Sequence, residues 1–186
     1  PKTTPGGVKY RDFETPSGSD AAAAVVNKGD TVIMKYKVLK LGKRSYDGLS
    51  GEGTVVFSRG YGLEEDENYV ADAKYFTCQV GDPQVIMALN EALIGLPLLT
   101  TRRFAILPQQ GWERPSAFCD GGPGGKGTGG ELKTDYVVVP TATMVATETC
   151  LDTAKIPFPN NFAQQRRMAQ RFDQSLIMEV QVVKKA

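Results

Sequence analysis

The fold is decided by residues 76–97, FTCQVGDPQVIMALNEALIGLP, which predict the end of a strand, a tight turn and an amphipathic helix. The strand runs from Lys74 to Val80 and ends at Gly81. Asp82-Pro83 is typical of an N-cap followed by proline at the first helical position. Apolar residues then recur at helical spacing for about three turns, and Gly95-Leu-Pro97 ends the helix.

Strand-like segments flank this unit on both sides. Thr31–Leu39 is rich in β-branched residues and is the clearest strand. Because several strands accompany one well-formed helix without a strand–helix–strand rhythm, we expect an α+β protein with an antiparallel sheet packed on a helix. A second helical segment is expected at Phe162–Phe172, capped by Pro159-Asn-Asn161. The other predicted strands are Gly6–Glu14, Thr101–Pro108, Tyr136–Thr147 and Ser175–Val183.

The composition limits the classes of function that the chain can have. With 186 residues, 41% of them hydrophobic, the chain is long enough for one domain with a substantial core. Its 22 Lys and Arg residues balance 21 Asp and Glu residues, so no overall charge favours nucleic acid or an anionic membrane. No apolar run approaches the ~20 residues that cross a bilayer. The chain begins at Pro1, so we expect that a targeting segment has been cleaved or is not represented.

Histidine is absent, which removes the commonest general base and metal ligand. The three cysteines share no metal-type spacing, and neither a metal nor a cofactor is expected. Cys78 lies on a strand of core character and is expected to be a small buried side chain. Cys119 and Cys150 bracket the insertion described below, where they could form a disulfide or remain two free thiols.

Residues 113–155 differ in composition and predict a long insertion. Asp120–Gly130 is mostly glycine, which makes a fixed backbone costly. It does not match a phosphate-binding loop, because Gly127 follows Lys126 where Ser or Thr is required and Asp120 stands where the first glycine belongs.

Two charged regions are interpreted as solvated surface. Residues 48–74 are glycine-rich and then acidic, and Glu64–Glu67 lacks the alternating oxygen ligands of a calcium loop. The pairs Arg102-Arg103 and Arg166-Arg167 could meet phosphates, but in a chain of balanced charge they are ordinary exposed faces.

Four aromatic residues, Tyr36, Tyr46, Phe76 and Trp112, fall at or near the ends of predicted strands and turns, close to Asp47. Taken alone, they are core residues. Their order and spacing allow a second interpretation, in which they line a binding pocket.

The chain resembles the FKBP family of peptidyl-prolyl cis-trans isomerases through a collinear series of motifs. Gly29–Tyr36 followed by Gly42-Lys-Arg-Ser-Tyr46-Asp47 is similar to the family's opening strand and Tyr…Phe-Asp motif, with Tyr46 in place of the phenylalanine. Three further segments resemble the strand before the helix with its Val-Ile start, the Arg-Arg-Leu-x-Ile-Pro strand and the closing strand. They are Phe76–Ile86, Arg102–Pro108 and Ser175–Val183.

A last motif, Ile156-Pro-Phe-Pro-Asn160, resembles the family's Ile-Pro-Pro-Asn loop, displaced by the insertion. Val139-Pro-Thr-Ala-Thr143 competes for that role, and we prefer the later match because it leads into the terminal strand. The resemblance covers residues 6–112 and 156–186. It implies one FKBP-like domain over residues 1–186, with a twisted antiparallel sheet wrapped around one short helix.

The resemblance also implies a pocket that takes a proline ring into an apolar aromatic cup. Isomerisation faces a barrier of ~18–20 kcal/mol. It can be lowered without acid or base by desolvating the amide and bonding its twisted carbonyl. Carried over by position, the pocket would comprise Tyr36, Tyr46, Asp47, Phe76, Val85, Ile86, Leu89, Trp112 and Met178.

Several of these positions depart from the family pattern. Leu89 replaces the tryptophan that floors the pocket, Trp112 replaces a tyrosine that bonds the ligand backbone, and Met178 replaces an inward phenylalanine. Leu98–Thr101 replaces a glycine-containing turn. These changes imply that isomerase activity is weak or lost.

Three functions follow from the resemblance. The first is a protein-binding FKBP-like domain, an accessory or assembly subunit of a larger complex. Such chains resemble those of plastid thylakoid lumens, which implies a soluble or peripheral protein with a photosystem as partner. The second is a working isomerase in which Tyr36, Asp47, Ile86 and Trp112 shape the twisted amide. The third is a stand-alone ligand-binding module using the same cup.

Overall fold

A computed structural model describes residues 1–13, 24–41, 49–63, 66, 74–107, 110–113, 151–169 and 175–186. In this part of the chain, seven strands form one sheet accompanied by two helices. The strands are β1 Lys2–Thr3, β2 Lys9–Phe13, β3 Thr31–Leu41, β4 Gly53–Arg59, β5 Phe76–Gln79, β6 Thr101–Ile106 and β7 Ser175–Lys185. The helices are α1 Met87–Leu93 and α2 Phe162–Ala169. Neither of these helices has the length and hydropathy of a membrane span.

Several predicted features lie outside the described residues. They are Tyr46, Asp47, most of Glu64–Glu67, the glycine-rich run Asp120–Gly130, the strand Tyr136–Thr147, Val139-Pro140, Cys119 and Cys150. The extent of the insertion, the single domain and the disulfide therefore stay predictions.

The sheet is antiparallel and centred on β3. Its order is β1-β2-β6-β7-β3-β4, and β5 also pairs with β3. Alternate residues of β3, from Val32 through Met34 and Tyr36 to Val38, are fully buried, as expected for a strand with one face on the core. Helix α1 covers that face with its own buried residues. The predicted α+β class is confirmed.

Helix α1 begins later than predicted. Ile86, not Asp82, occupies the N-cap position, and no side chain caps the helix. Asp82 instead closes a turn, because its Oδ1 accepts a hydrogen bond from Gln84 N (2.9 Å) and its carbonyl accepts one from Val85 N (3.0 Å). An Asx turn and a helix N-cap use the same residue types, which is why the prediction was wrong. The predicted end is confirmed, since Gly95 has a left-handed φ of 77°.

The interpretation of residues 48–74 as a surface excursion is wrong for β4. This strand pairs with β3 and buries Val56 and Phe57 completely. A run of β-branched and aromatic residues at Thr54–Phe57 indicates the strand, but its glycine-rich and acidic flanks obscured it. Of the acidic run, Asp66 is described: its carboxylate accepts bonds from Ser58 Oγ (2.5 Å) and Gly62 N (2.6 Å).

The interpretation of Arg102 as an exposed cation is also wrong. Arg102 is 5% exposed. Its guanidinium donates from Nε and one terminal nitrogen to the two carboxylate oxygens of Asp12, at 2.5 and 2.8 Å. The other terminal nitrogen donates to the carbonyl of Ala92 in α1 (2.8 Å), and Tyr10 stacks 4.1 Å from the guanidinium carbon. Arg102 therefore joins β2, β6 and the end of α1.

We expect Arg102→Leu to lower the free energy of unfolding by about 2–4 kcal/mol, because it leaves a carboxylate and helix-end carbonyls without their donor. Urea titration of the two proteins measures the loss. Arg102→Lys is the matched control: it keeps the charge but loses the planar fork, so an intermediate loss is expected. Equal midpoints for the wild type and Arg102→Leu would contradict the assignment.

Candidate functional site

The structure brings together the seven predicted pocket residues that it describes. All belong to one hydrophobic core cluster between the sheet and α1. Their exposed fractions are 0% for Tyr36, Ile86, Leu89 and Met178, 1% for Val85, 2% for Trp112 and 7% for Phe76. The core interpretation and the pocket interpretation therefore describe the same cluster, and its role as a proline pocket stays a prediction.

Strand pairing places the sheet side of this cluster. Tyr36 and Met178 lie on the adjacent strands β3 and β7, where Tyr36 is opposite Val180 and Val38 is opposite Met178. Phe76 lies on β5, which also pairs with β3, and is opposite Met34. Because side chains alternate along a strand, Tyr36, Phe76 and Met178 all reach the face that α1 covers.

Edge-to-face contacts connect the aromatic residues into a chain. The ring of Tyr36 lies 5.5 Å from that of Phe76 and 5.8 Å from that of Phe57, and Phe57 lies 6.0 Å from Trp112. Each contact favours the positive edge of one ring against the face of the next. Phe57 was missed by the sequence interpretation because β4 was missed, and Thr54–Phe57 was the signal that could have found it.

The backbone before α1 pairs with the segment that follows the insertion. Ile156 N donates to Gln84 O (2.8 Å) and Ile86 N donates to Ile156 O (3.1 Å), which makes a short parallel bridge at Val85. Ile156 itself packs against the core cluster. The match of Ile156-Pro157 to the family's loop motif stays a prediction.

Trp112 fixes the residue after Ile156. Its Nε1 donates to the carbonyl of Pro157 at 2.6 Å, and this hydrogen bond is buried. The backbone carbonyl of Trp112 accepts a bond from Asp152 N (2.6 Å), and Glu113 bridges to Leu151. Residues 112–113 and 151–152 are therefore neighbours in the structure.

A second candidate site lies on the outer face of the sheet. A depression of about 230 Å³ is lined there by Lys35, Lys37, Tyr61 and Glu179, among others. Both lysine amines lie over the Tyr61 ring, at 4.8 and 4.6 Å from its centre. Glu179 forms ion pairs with Lys37 (3.4 Å) and Arg103 (2.7 Å), so one carboxylate is shared by two of the cations.

Cys78 is 6% exposed on β5, which confirms the prediction of a buried small side chain. Burial, with a smaller contribution from the carboxylate of Asp82, raises the pKa of the Cys78 thiol to about 12. A thiol that stays protonated is a poor nucleophile, so Cys78 is structural.

We expect Cys78 in the folded protein to react with iodoacetamide at least ~100-fold more slowly than in urea at the same pH, because its thiolate is scarce and shielded. Peptide mass spectrometry reads Cys78 separately from the other cysteines. Because the folded protein favours the neutral thiol, the contribution of Cys78 to the free energy of unfolding is complete below pH 9.0. It is lost as the pH rises towards about 12. The Cys78→Ala variant should lose less free energy of unfolding over this pH range than the wild type. Equal alkylation rates in the folded and the unfolded protein would contradict the assignment.

Known proteins similar to this chain are found among solved structures. No protein-family model matches the chain, and no curated protein matches it. Among solved structures, the chain is similar to AtFKBP13, with 16% identity, a TM-score of 0.45, and coverage of 99% of this chain and 97% of the other. It is also similar to the structure of the three FKBP domains of wheat FKBP73, with 15% identity, a TM-score of 0.44, and coverage of 96% of this chain but 46% of the other.

Proposed function

We propose that this chain is an FKBP-like protein-binding domain whose isomerase activity is weak or absent, and that it serves as an accessory subunit of a larger assembly. The observation that carries this proposal is the burial of the cup: its seven described walls are at most 7% exposed. An isomerase must place the reacting amide against such walls and exclude water from it. Walls already covered by the protein's own side chains oppose that step.

The floor of the cup supports the same proposal. Leu89 of α1 is fully buried at the position where the family resemblance implies a tryptophan. An aliphatic side chain provides neither the flat face nor the quadrupole of an indole ring, so it binds a proline ring less specifically.

Helix α2 is the surface that we propose for docking. Asn161 caps the helix, since its Oδ1 accepts a bond from Ala163 N (2.7 Å). Met168 is fully buried and fixes one side of α2 to the core. Phe162 is 67% exposed, with the Arg166 guanidinium 5.8 Å from its ring. Exposed aromatic and arginine side chains of this kind are enriched in protein interfaces.

We further propose a photosynthetic membrane complex in the thylakoid lumen as the partner, with this chain bound peripherally. This part of the proposal rests on the sequence resemblance to lumenal FKBP-like chains.

We expect no acceleration of cis-trans exchange when the protein is added to an Ile-Pro-Phe peptide, measured by NMR exchange spectroscopy. The physical reason is that the peptide cannot reach the buried walls of the cup. A known FKBP isomerase at the same concentration is the positive control. Acceleration that disappears in Tyr36→Phe, while the circular dichroism spectrum is unchanged, would contradict the proposal and favour the working isomerase.

We expect the double substitution Phe162→Ala and Arg166→Ala to remove the tagged chain from the high-molecular-weight fraction of solubilised native membranes. The substitution deletes the exposed aromatic and cationic contacts of α2. Ile94→Ala is the matched control, because Ile94 is also an exposed apolar side chain (48%) but lies beyond α1. Loss of association in the control alone, or unchanged elution of the double variant, would count against α2 as the docking surface.

A further inference from the structure

The segment 152–158, which we call the return segment, meets the cup by the hydrogen bonds that a bound peptide would make. Ile156 uses both its backbone N–H and its carbonyl, on Gln84 and Ile86 respectively. The carbonyl of Pro157 accepts from Trp112 Nε1. Three successive backbone groups of the return segment are therefore bonded to Gln84, Ile86 and Trp112.

The side chains of the return segment are arranged as those of a ligand. Pro157 is buried, and Ile156 and Phe158 on either side of it are partly buried against the core cluster. The carbonyls of the adjacent residues Ile156 and Pro157 are thus bonded to Ile86 at the start of α1 and to Trp112, respectively. A cation strengthens the attachment at the start of the segment, where Lys155 Nζ donates to the carbonyl of Pro83 (2.8 Å).

We propose that the cup binds the chain's own Ile156-Pro157-Phe158 as an internal ligand, and that a prolyl peptide from another molecule enters only after the return segment has left. This inference rests on the proposed function, because it explains why the cup is closed.

Mass action explains why an internal ligand excludes others. A tethered ligand acts at an effective concentration of the order of millimolar. The apparent affinity of an external ligand falls in proportion to the fraction of molecules with an open cup. A peptide of the same sequence at micromolar concentration would therefore not compete until the tethered copy is weakened.

The experiment uses the full chain and an N-terminally labelled peptide, Lys-Ile-Pro-Phe-Pro-Asn, copied from residues 155–160. We expect no saturable binding to the wild type by fluorescence anisotropy. Binding at least tenfold tighter is expected for the double variant Ile156→Gly and Pro157→Gly, which keeps the cup but loses the internal side chains. The matched control is Pro159→Gly, since the Pro159 carbonyl bonds Gln165 (2.7 Å) and not the cup. A peptide with alanine in place of the first proline should not bind.

Two measurements on the protein report directly on whether the return segment is bound. Trp112 is the single tryptophan of the chain, so its emission should shift to the red when the return segment leaves in the double variant, and shift back when the peptide binds. In the wild type, the amides of Ile86 and Ile156 should be protected from hydrogen exchange.

Peptide affinity that is equal in the wild type and the folded double variant would overturn the inference. Unprotected amides at Ile86 and Ile156 in the wild type would overturn it even if the double variant does not fold. These two results do not depend on the exchange assay on the wild type. Acceleration in that assay would contradict the proposed function. The peptide affinities would still decide whether the internal ligand exists.

Discussion

Two backbone hydrogen bonds at Ile156 join the residues before α1 to a segment much further along the chain. Val85 and Ile86 lie between the Asp82 turn and α1, outside any strand or helix, and their buried N–H and carbonyl groups need partners. Gln84 and Ile86 find them on a segment that arrives after the insertion. The same pairing brings Pro157 within reach of Trp112.

Trp112, at a position where the family resemblance implies a tyrosine, bonds a different partner from the one that the tyrosine would bond. The family resemblance implies a tyrosine at this position, whose hydroxyl can donate and accept. An indole can only donate, and when buried it needs an acceptor. The carbonyl of Pro157 provides that acceptor at 2.6 Å. The substitution that points to a lost ligand contact in the sequence becomes, in the structure, a contact to the chain itself.

Local patterns predicted most of the fold, and long-range pairing accounts for what they missed. The strands β3, β6 and β7 match their predicted ranges closely, because β-branched alternation is a strong local signal. The start of α1 was wrong since Asp82-Pro83 suits a turn as well as a cap. The convergence of Tyr36, Phe76 and Trp112 was predicted from motif order. Their pairing with a return segment far along the chain has no local signature, and neither has the burial of Arg102, which depends on Asp12.

The walls of the cup are also the core of the domain, and this limits what the site can do. Tyr36 contacts Phe57 and Phe76 edge to face, and Phe57 continues the contact to Trp112. Interiors packed at this density do not deform continuously, so an external ligand cannot widen the cup without breaking contacts that stabilise the sheet. Removal of the return segment is the less costly route, because it exchanges one peptide for another and leaves the aromatic walls in place. In the proposed function, other proteins bind the exposed Phe162 and Arg166 of α2, while Met168 of the same helix stays in the core.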